Sequence, residues 1–229
     1  MSMTEPRMVE VRRNVLKQND ILARDLRTRY RTAGVYTVSL VSSPGSGKTT
    51  FLEQTLRRLR ADHPVAALVG DLATENDCAR LARSGAPVKQ IVTGTVCHLD
   101  ASMVDRALQD WRLEDLEFLF IENVGNLVCP SSYDLGEAAK IVLLSVTEGE
   151  DKPLKYPSIF FKSDLLILTK TDLLPHLPFD INAAAENARR IHPGIEIVEL
   201  SCLTGDGLHE WLNWLEQRRR MLKFLSPAG

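Results

Sequence analysis

Residues 35–52 read VYTVSLVSSPGSGKTTFL. An apolar, strand-like run at 35–41 passes into a loop rich in Gly and Ser. The loop ends at Gly47-Lys48-Thr49-Thr50 and opens a helix at 48–60, in which Leu52, Leu56 and Leu59 share one face. Strand, tight loop and helix in that order form the setting of a Walker A motif. Successive backbone N–H groups and a helix N-terminus there wrap phosphate oxygens. Gly45, Ser46, Gly47, Lys48, Thr49 and Thr50 are therefore expected to line a phosphate site. Lys48 would reach the β and γ phosphates and the Thr49 hydroxyl would ligate Mg²⁺. Ser42 stands where the pattern usually has its first glycine, but the GSGKTT core and its placement sustain the reading.

Outward from this loop, short apolar runs at 65–69, 88–92, 117–122, 141–146, 164–168 and 195–200 alternate with helical patterns at 75–84, 99–111, 181–192 and 207–224. Continuous apolar strands alternating with amphipathic helices predict an α/β fold of the P-loop NTPase kind, a mostly parallel sheet with helices on both faces. The expected organisation is an N-terminal helical extension over 1–33 and a nucleotide-binding domain over 34–229. In the first helix, at 8–32, Val11, Val15, Leu22 and Leu26 are expected to share the packed face.

The chain has 229 residues, 28 Lys+Arg against 30 Asp+Glu, a formal charge of −2 and 44% hydrophobic residues. That balance supports a sizeable core and argues against nucleic acid or an anionic membrane as the main partner. No apolar run approaches the roughly 18 residues of a membrane span. The opening MSMTEPRMVEVRRNVLKQND has no secretory hydrophobic stretch, so a cytoplasmic location with reduced Cys78, Cys97, Cys129 and Cys202 is expected. Cys78 reads as a packing residue.

A second motif, Thr169-Lys170-Thr171-Asp172, closes the strand at 164–168. Its carboxylate would accept from guanine N1–H and the 2-amino group, donors that adenine does not present. An unpaired buried carboxylate makes the wrong base costly, so discrimination on the order of 10⁴ is expected. Lys170 would lie along the nucleotide, and Ser201-Cys202 would touch the base, Cys202 chiefly by packing. Glu122, at the end of an apolar strand, suits a Walker B carboxylate that holds Mg²⁺. Asp71 is the candidate for Mg²⁺ and for orienting the attacking water, with a helix N-cap as its alternative role. Lys48, Asp71 and Glu122 thus form the expected catalytic set for GTP hydrolysis.

Cys97-His98 and Cys129 fall in loops after two strands that read as neighbours, so they are expected to meet near the γ-phosphate. Two thiolates and an imidazole suit Zn²⁺, Ni²⁺ or Cu⁺. Buried inert thiols with a surface histidine would read the same way.

The stretches SSPGSGKTTFLE, GTVCHLDASM, FIENVGNLVCPSSYDLGE, LLSVTEGEDKPLKYP and WLNWLE together resemble the HypB family of hydrogenase maturation GTPases, from about residue 10 to residue 216. The resemblance implies a GTP-hydrolysing nickel metallochaperone that serves the [NiFe]-hydrogenase large-subunit precursor. It implies a homodimer that works with a HypA-like zinc protein. On this sequence Cys97, His98 and Cys129 become ligands for Ni²⁺, with Zn²⁺ as a rival at the same place. A zinc-regulated GTPase switch and a P-loop small-molecule kinase are the competing readings. Two departures stand out. There is no cysteine before Cys78, so the tight N-terminal nickel site of many relatives is not expected. Ser43 and Pro44 occupy the place of the lysine typical of dimeric P-loop proteins, and Lys152 or Lys155 would replace it across a dimer.

Overall fold

The computed structural model describes residues 5–71 and 76–225, with side chains described over 13–71 and 77–222. Seven strands form one sheet: β1 (Tyr36–Ser42), β2 (Val65–Asp71), β3 (Val88–Val92), β4 (Phe118–Glu122), β5 (Ala139–Ser145), β6 (Leu165–Thr169) and β7 (Glu196–Leu200). Every pair is parallel, in the order β3-β2-β4-β1-β5-β6-β7. The helices are α1 (Glu5–Ala33), α2 (Lys48–Leu59), α3 (Asn76–Ala82), α4 (Ala101–Ala107), α5 (Lys152–Lys155), α6 (Pro157–Phe161), α7 (Ile181–Ile191) and α8 (Leu208–Leu225).

Because successive side chains in a strand point to opposite faces, each apolar strand feeds two cores. Phe118 and Phe120 of β4, with Val38 and Leu40 of β1, pack under α2 and α8, where Phe51, Leu56 and Trp211 are fully buried. The indole N–H of Trp211 donates to Thr55 Oγ1 at 3.0 Å, which satisfies the one polar atom of that ring. On the other face Leu119 and Ile121 meet α1 and α4, while Val142, Leu144, Leu166 and Leu168 meet α6 and α7. The expected α/β architecture with helices on both faces is present.

Three local expectations need correction. In α1 the buried stripe is Asn19, Ala23, Leu26 and Tyr30, whereas Val15 is 47% exposed. The side chain of Val11 lies outside the described residues. The stripe includes a polar residue because the Asn19 amide finds backbone partners. The helix expected at 99–111 starts at Ala101, since the Asp100 carboxylate accepts from Met103 N–H at 2.8 Å and caps it. No helix is expected between the strands at 141–146 and 164–168, where the structure has α5 and α6. Pro153 and Pro157 sit in their first turns, where a missing N–H costs nothing.

The segment after β4 returns under α1 through Gly136, whose φ is +78°. A Cβ there would lie 2.7 Å from the Ala23 carbonyl oxygen and 2.9 Å from Leu26 Cβ. Gly136→Ala is expected to destabilise the fold by at least about 1–3 kcal/mol from the left-handed backbone alone. Denaturant unfolding would read this as a lower midpoint; an unchanged midpoint would mean that the segment is not clamped against α1.

Candidate functional site

All strands run the same way, so β1, β2, β4 and β6 deliver Ser42, Asp71, Glu122 and Thr169 to one edge of the sheet. The loop after β1 turns through Gly47, φ +92°, and leads straight into α2. Neighbours hold it in shape. Thr169 Oγ1 donates to the Ser46 carbonyl at 2.7 Å, Lys170 Nζ donates to the Gly45 carbonyl at 2.7 Å, and Ser46 Oγ donates to Glu148 Oε1 at 2.6 Å. Lys170 is the one non-glycine residue with positive φ, 61°, among the described residues. Its strained backbone aims the side chain back over the loop.

A cavity of about 550 Å³ opens over this loop, with Asp71, Arg80 and Gly125 on its far wall. A second, of about 230 Å³, adjoins it between Gly47, Lys170, Asp172 and Cys202. The two volumes suit a triphosphate and a base at either end of one nucleotide. Ser201 Oγ donates to Asp172 Oδ1 and accepts from the backbone N–H groups of Leu203 and Thr204 at 3.1 and 3.2 Å, so the 201–204 turn orients the carboxylate. Burial pushes the Cys202 thiol, which lines this smaller cavity, up to about 11 and keeps it protonated.

Glu122 is 2% exposed. Burial raises its pKa, opposed first by Lys48 at 3.8 Å and then by the Thr49 hydroxyl, which donates to its Oε1 at 2.7 Å. Its Oε2 is buried without a hydrogen-bond partner. An orphaned carboxylate oxygen beside the phosphate-loop Thr49 fits a divalent cation held with a nucleotide. Asp71, half-buried, ends β2 at the rim of the cavity. The next helix is described from Asn76, and residues 72–75 between it and Asp71 lie outside the described residues, with the N-cap alternative for Asp71 among them.

Cys97, His98 and Cys129 do converge: one ligand atom from each lies within 4.8 Å of the others, and all three are half-buried. The Sγ atoms of Cys97 and Cys129 approach to 2.7 Å, and no cysteine of the chain forms a disulfide. The route differs from the expected one, because β2 lies between β3 and β4. The loop after β3 crosses the end of β2, where the Leu99 side chain fills the space that a Cβ on Gly70 would need. His98 stacks on Tyr133 with centroids 3.8 Å apart, and its Nδ1 is buried without a partner. Burial lowers its pKa, so the ring is held in the neutral form that ligates metals. Cys78 stands apart on α3, half-buried.

Glu148 and Asn123 are the residues that sequence reasoning missed. Glu148 follows β5 on the same sheet edge and ties Lys152, at 3.2 Å, to the phosphate loop. Lys152 Nζ also donates to Ser43 Oγ of its own chain at 3.2 Å, while Lys155 pairs with Asp151 in solvent. The side-chain oxygen of Asn123 accepts from Leu99 N–H at 3.0 Å and from Val124 N–H at 2.9 Å. The only available signal was position: each lies within three residues of a strand's carboxyl end.

The family described as CobW/HypB/UreG, nucleotide-binding domain, matches residues 36–199. The hydrogenase maturation factor HypB of Azotobacter vinelandii is 51% identical over 219 residues, which cover 95% of this chain and 72% of the relative. The crystal structure of HypB from Helicobacter pylori in complex with nickel superposes with a TM-score of 0.85 at 42% identity, over 93% of this chain and 99% of that one. HypB from Archaeoglobus fulgidus gives a TM-score of 0.83 at 36% identity, over 89% of this chain and 99% of that one.

Replacing Asp172 with Ala removes the carboxylate at the end of the base cavity. The variant is expected to lose preference for GDP over ADP by on the order of 10³-fold or more, with phosphate-loop contacts intact. Competition with a fluorescent guanine nucleotide checks this; retained discrimination would remove Asp172 from the base site.

Proposed function

The chain belongs to the CobW/HypB/UreG family of nucleotide-binding domains, among its HypB hydrogenase maturation factors, and from that premise we propose that it hydrolyses GTP to carry nickel to the [NiFe]-hydrogenase large-subunit precursor. The observation that carries the proposal is the linkage of the thiol–imidazole cluster to the nucleotide edge. Asn123, one residue beyond Glu122, holds Leu99, one residue beyond His98. Asn126 Nδ2 then donates to the Cys97 carbonyl at 3.3 Å.

On the nucleotide side, Lys48 meets the β and γ phosphates, and Asp172 and Ser201 read guanine, with Lys170 and Cys202 as the walls. Mg²⁺ would be held by Thr49, Glu122 and Asp71 and would supply charge neutralisation on the phosphates. Asp71 stands at the cavity rim to orient the attacking water. Nickel is the cargo of Cys97, His98 and Cys129. Three protein ligands leave a position open for handover. Zn²⁺ suits the same donors, since the Irving–Williams order favours nickel little over zinc. A homodimer paired across the nucleotide edge agrees with Val128, which is apolar, 59% exposed and next to Cys129. A HypA-like zinc protein and the hydrogenase precursor are the proposed partners, and the cytoplasm the proposed location.

Ordering of the β2 and β4 ends by the γ-phosphate makes the two nucleotide states differ at the metal ligands. A coupling of roughly 1–3 kcal/mol changes nickel affinity about 5–150-fold and, by reciprocity, nucleotide affinity by the same factor. Nickel titration of the metal-free protein in GDP and in a non-hydrolysable GTP analogue should show that difference. Cys97→Ala and Cys129→Ala should abolish nickel binding and leave GDP binding intact. Equal nickel affinity in both states, or retention in both variants, would refute the coupling or the ligand set respectively.

Lys152 supplies the positive charge that Ser43 and Pro44 do not. Lys152→Ala is expected to slow GTP turnover by at least about tenfold, the effect of losing roughly 1.4 kcal/mol of transition-state stabilisation. Lys155→Ala should turn over at the wild-type rate. Phosphate release distinguishes them, and equal rates for both variants and the wild type would remove Lys152 from the site.

A further inference from the structure

We propose that Asn19 of α1 is a positioning residue for the metal ligands, a brace that fixes the spacing of the two loops that carry them. The inference rests on the reading of Cys97, His98 and Cys129 as nickel ligands. Asn19 is 7% exposed and, besides the Tyr30 hydroxyl, brings the one buried polar side-chain group among the described residues of α1. Both halves of its amide are used. The side-chain oxygen accepts from Ala101 N–H at 2.9 Å, and the side-chain N–H donates to the Asp134 carbonyl at 2.9 Å. Ala101 opens α4, three residues after His98. Asp134 follows Tyr133, the ring on which His98 stacks.

These contacts close a ring: Asn19 to Ala101, along the capped start of α4 to His98, across the stack to Tyr133, and back through Asp134. Local bonds stiffen both arcs. Asp100 caps α4, and the Asp134 carboxylate takes Arg27 at 2.7 and 2.8 Å and Gly136 N–H at 2.8 Å. Packing of α1 alone does not require an amide here. Ala23, Leu26 and Tyr30 already dock the helix, and an apolar residue would avoid the desolvation of a buried amide. What the amide adds to the Asn123 and Asn126 bonds is a second tie between the two loops, on the far side of His98 and Tyr133, which no strand pairing sets because β2 separates β3 from β4. Groups that orient metal ligands from outside the ligand set change affinity about 10–100-fold when removed.

The test uses the full chain, purified without metal. Asn19→Leu keeps the branched shape and heavy-atom count and removes both bonds. Asn19→Asp keeps the acceptor for Ala101 N–H and loses the donor to Asp134. Arg29→Ala removes an ion pair between α1 and Asp105 of α4, away from the loops, and controls for helix docking. Nickel titration followed by sulfur-to-nickel charge-transfer absorption should show about 10–100-fold weaker binding and an altered band for Asn19→Leu. Asn19→Asp should fall between it and the wild type, and it carries the test if Asn19→Leu does not fold. GDP affinity should stay within twofold in both, and Arg29→Ala should bind nickel normally. Wild-type nickel affinity and band in the Asn19 variants would overturn the proposal, as would a parallel loss of GDP binding or an equal loss in Arg29→Ala. A Cys97→Ala control separates the two readings: if it still binds nickel, the ligand assignment fails and the brace with it.

Discussion

Glu122 pairs in register with Leu40 of β1 on one side and with Val69 of β2 on the other. Both flanking strands run two residues further, to Ser42 and Asp71, so the Glu122 carboxylate sits recessed between the phosphate loop and the cavity rim. A carboxylate in such a place protonates or demands partners, because removal from water costs several kcal/mol. Lys48 and Thr49 are those partners, and they are also the phosphate-loop residues that a nucleotide and its cation would engage. The electrostatics of the site therefore follow from strand order: the place of β4 beside β1 sets the Glu122 carboxylate against Lys48.

The same strand end serves the second site. One residue past Glu122, the Asn123 side chain binds the backbone of the loop after β3, and three residues further Asn126 binds the Cys97 carbonyl. Coupling between sites needs an element with alternative arrangements that both ligands contact. The segment 123–128 is short, joined to both, and free of regular structure between β4 and the 3-10 turn at Cys129–Ser132.

α1 closes this arrangement from behind. Its fully buried Ala23 and Leu26 and its Tyr30 cover the half-sheet of Leu119, Ile121 and Leu68. At roughly 1.5–3 kcal/mol per large apolar side chain, that contact anchors the helix firmly. Firm docking allows a polar residue in the stripe: a single amide positions two loops only when its own backbone does not move.

The sequence by itself determined what depends on nearest neighbours along the chain. Periodicity distinguished strands from helices, and the GSGKTT loop and Thr169-Lys170-Thr171-Asp172 marked the two motifs that the structure places on one sheet edge. The composition of the thiol–imidazole cluster was legible too. Two prolines concealed α5 and α6, because a breaker inside a helix and a starter at its first turn are the same residue. Tertiary structure alone decided the order of the strands, and with it the passage of the Cys97 loop over β2. It also decided the seat of Lys152 on its own phosphate loop and the bridging by Asn19 of residues 82 and 115 positions away. These outcomes rest on hydrogen bonds between groups distant in sequence, where no residue type names its partner. Local patterns state which groups must be buried and paired; only the assembled sheet brings their partners within reach.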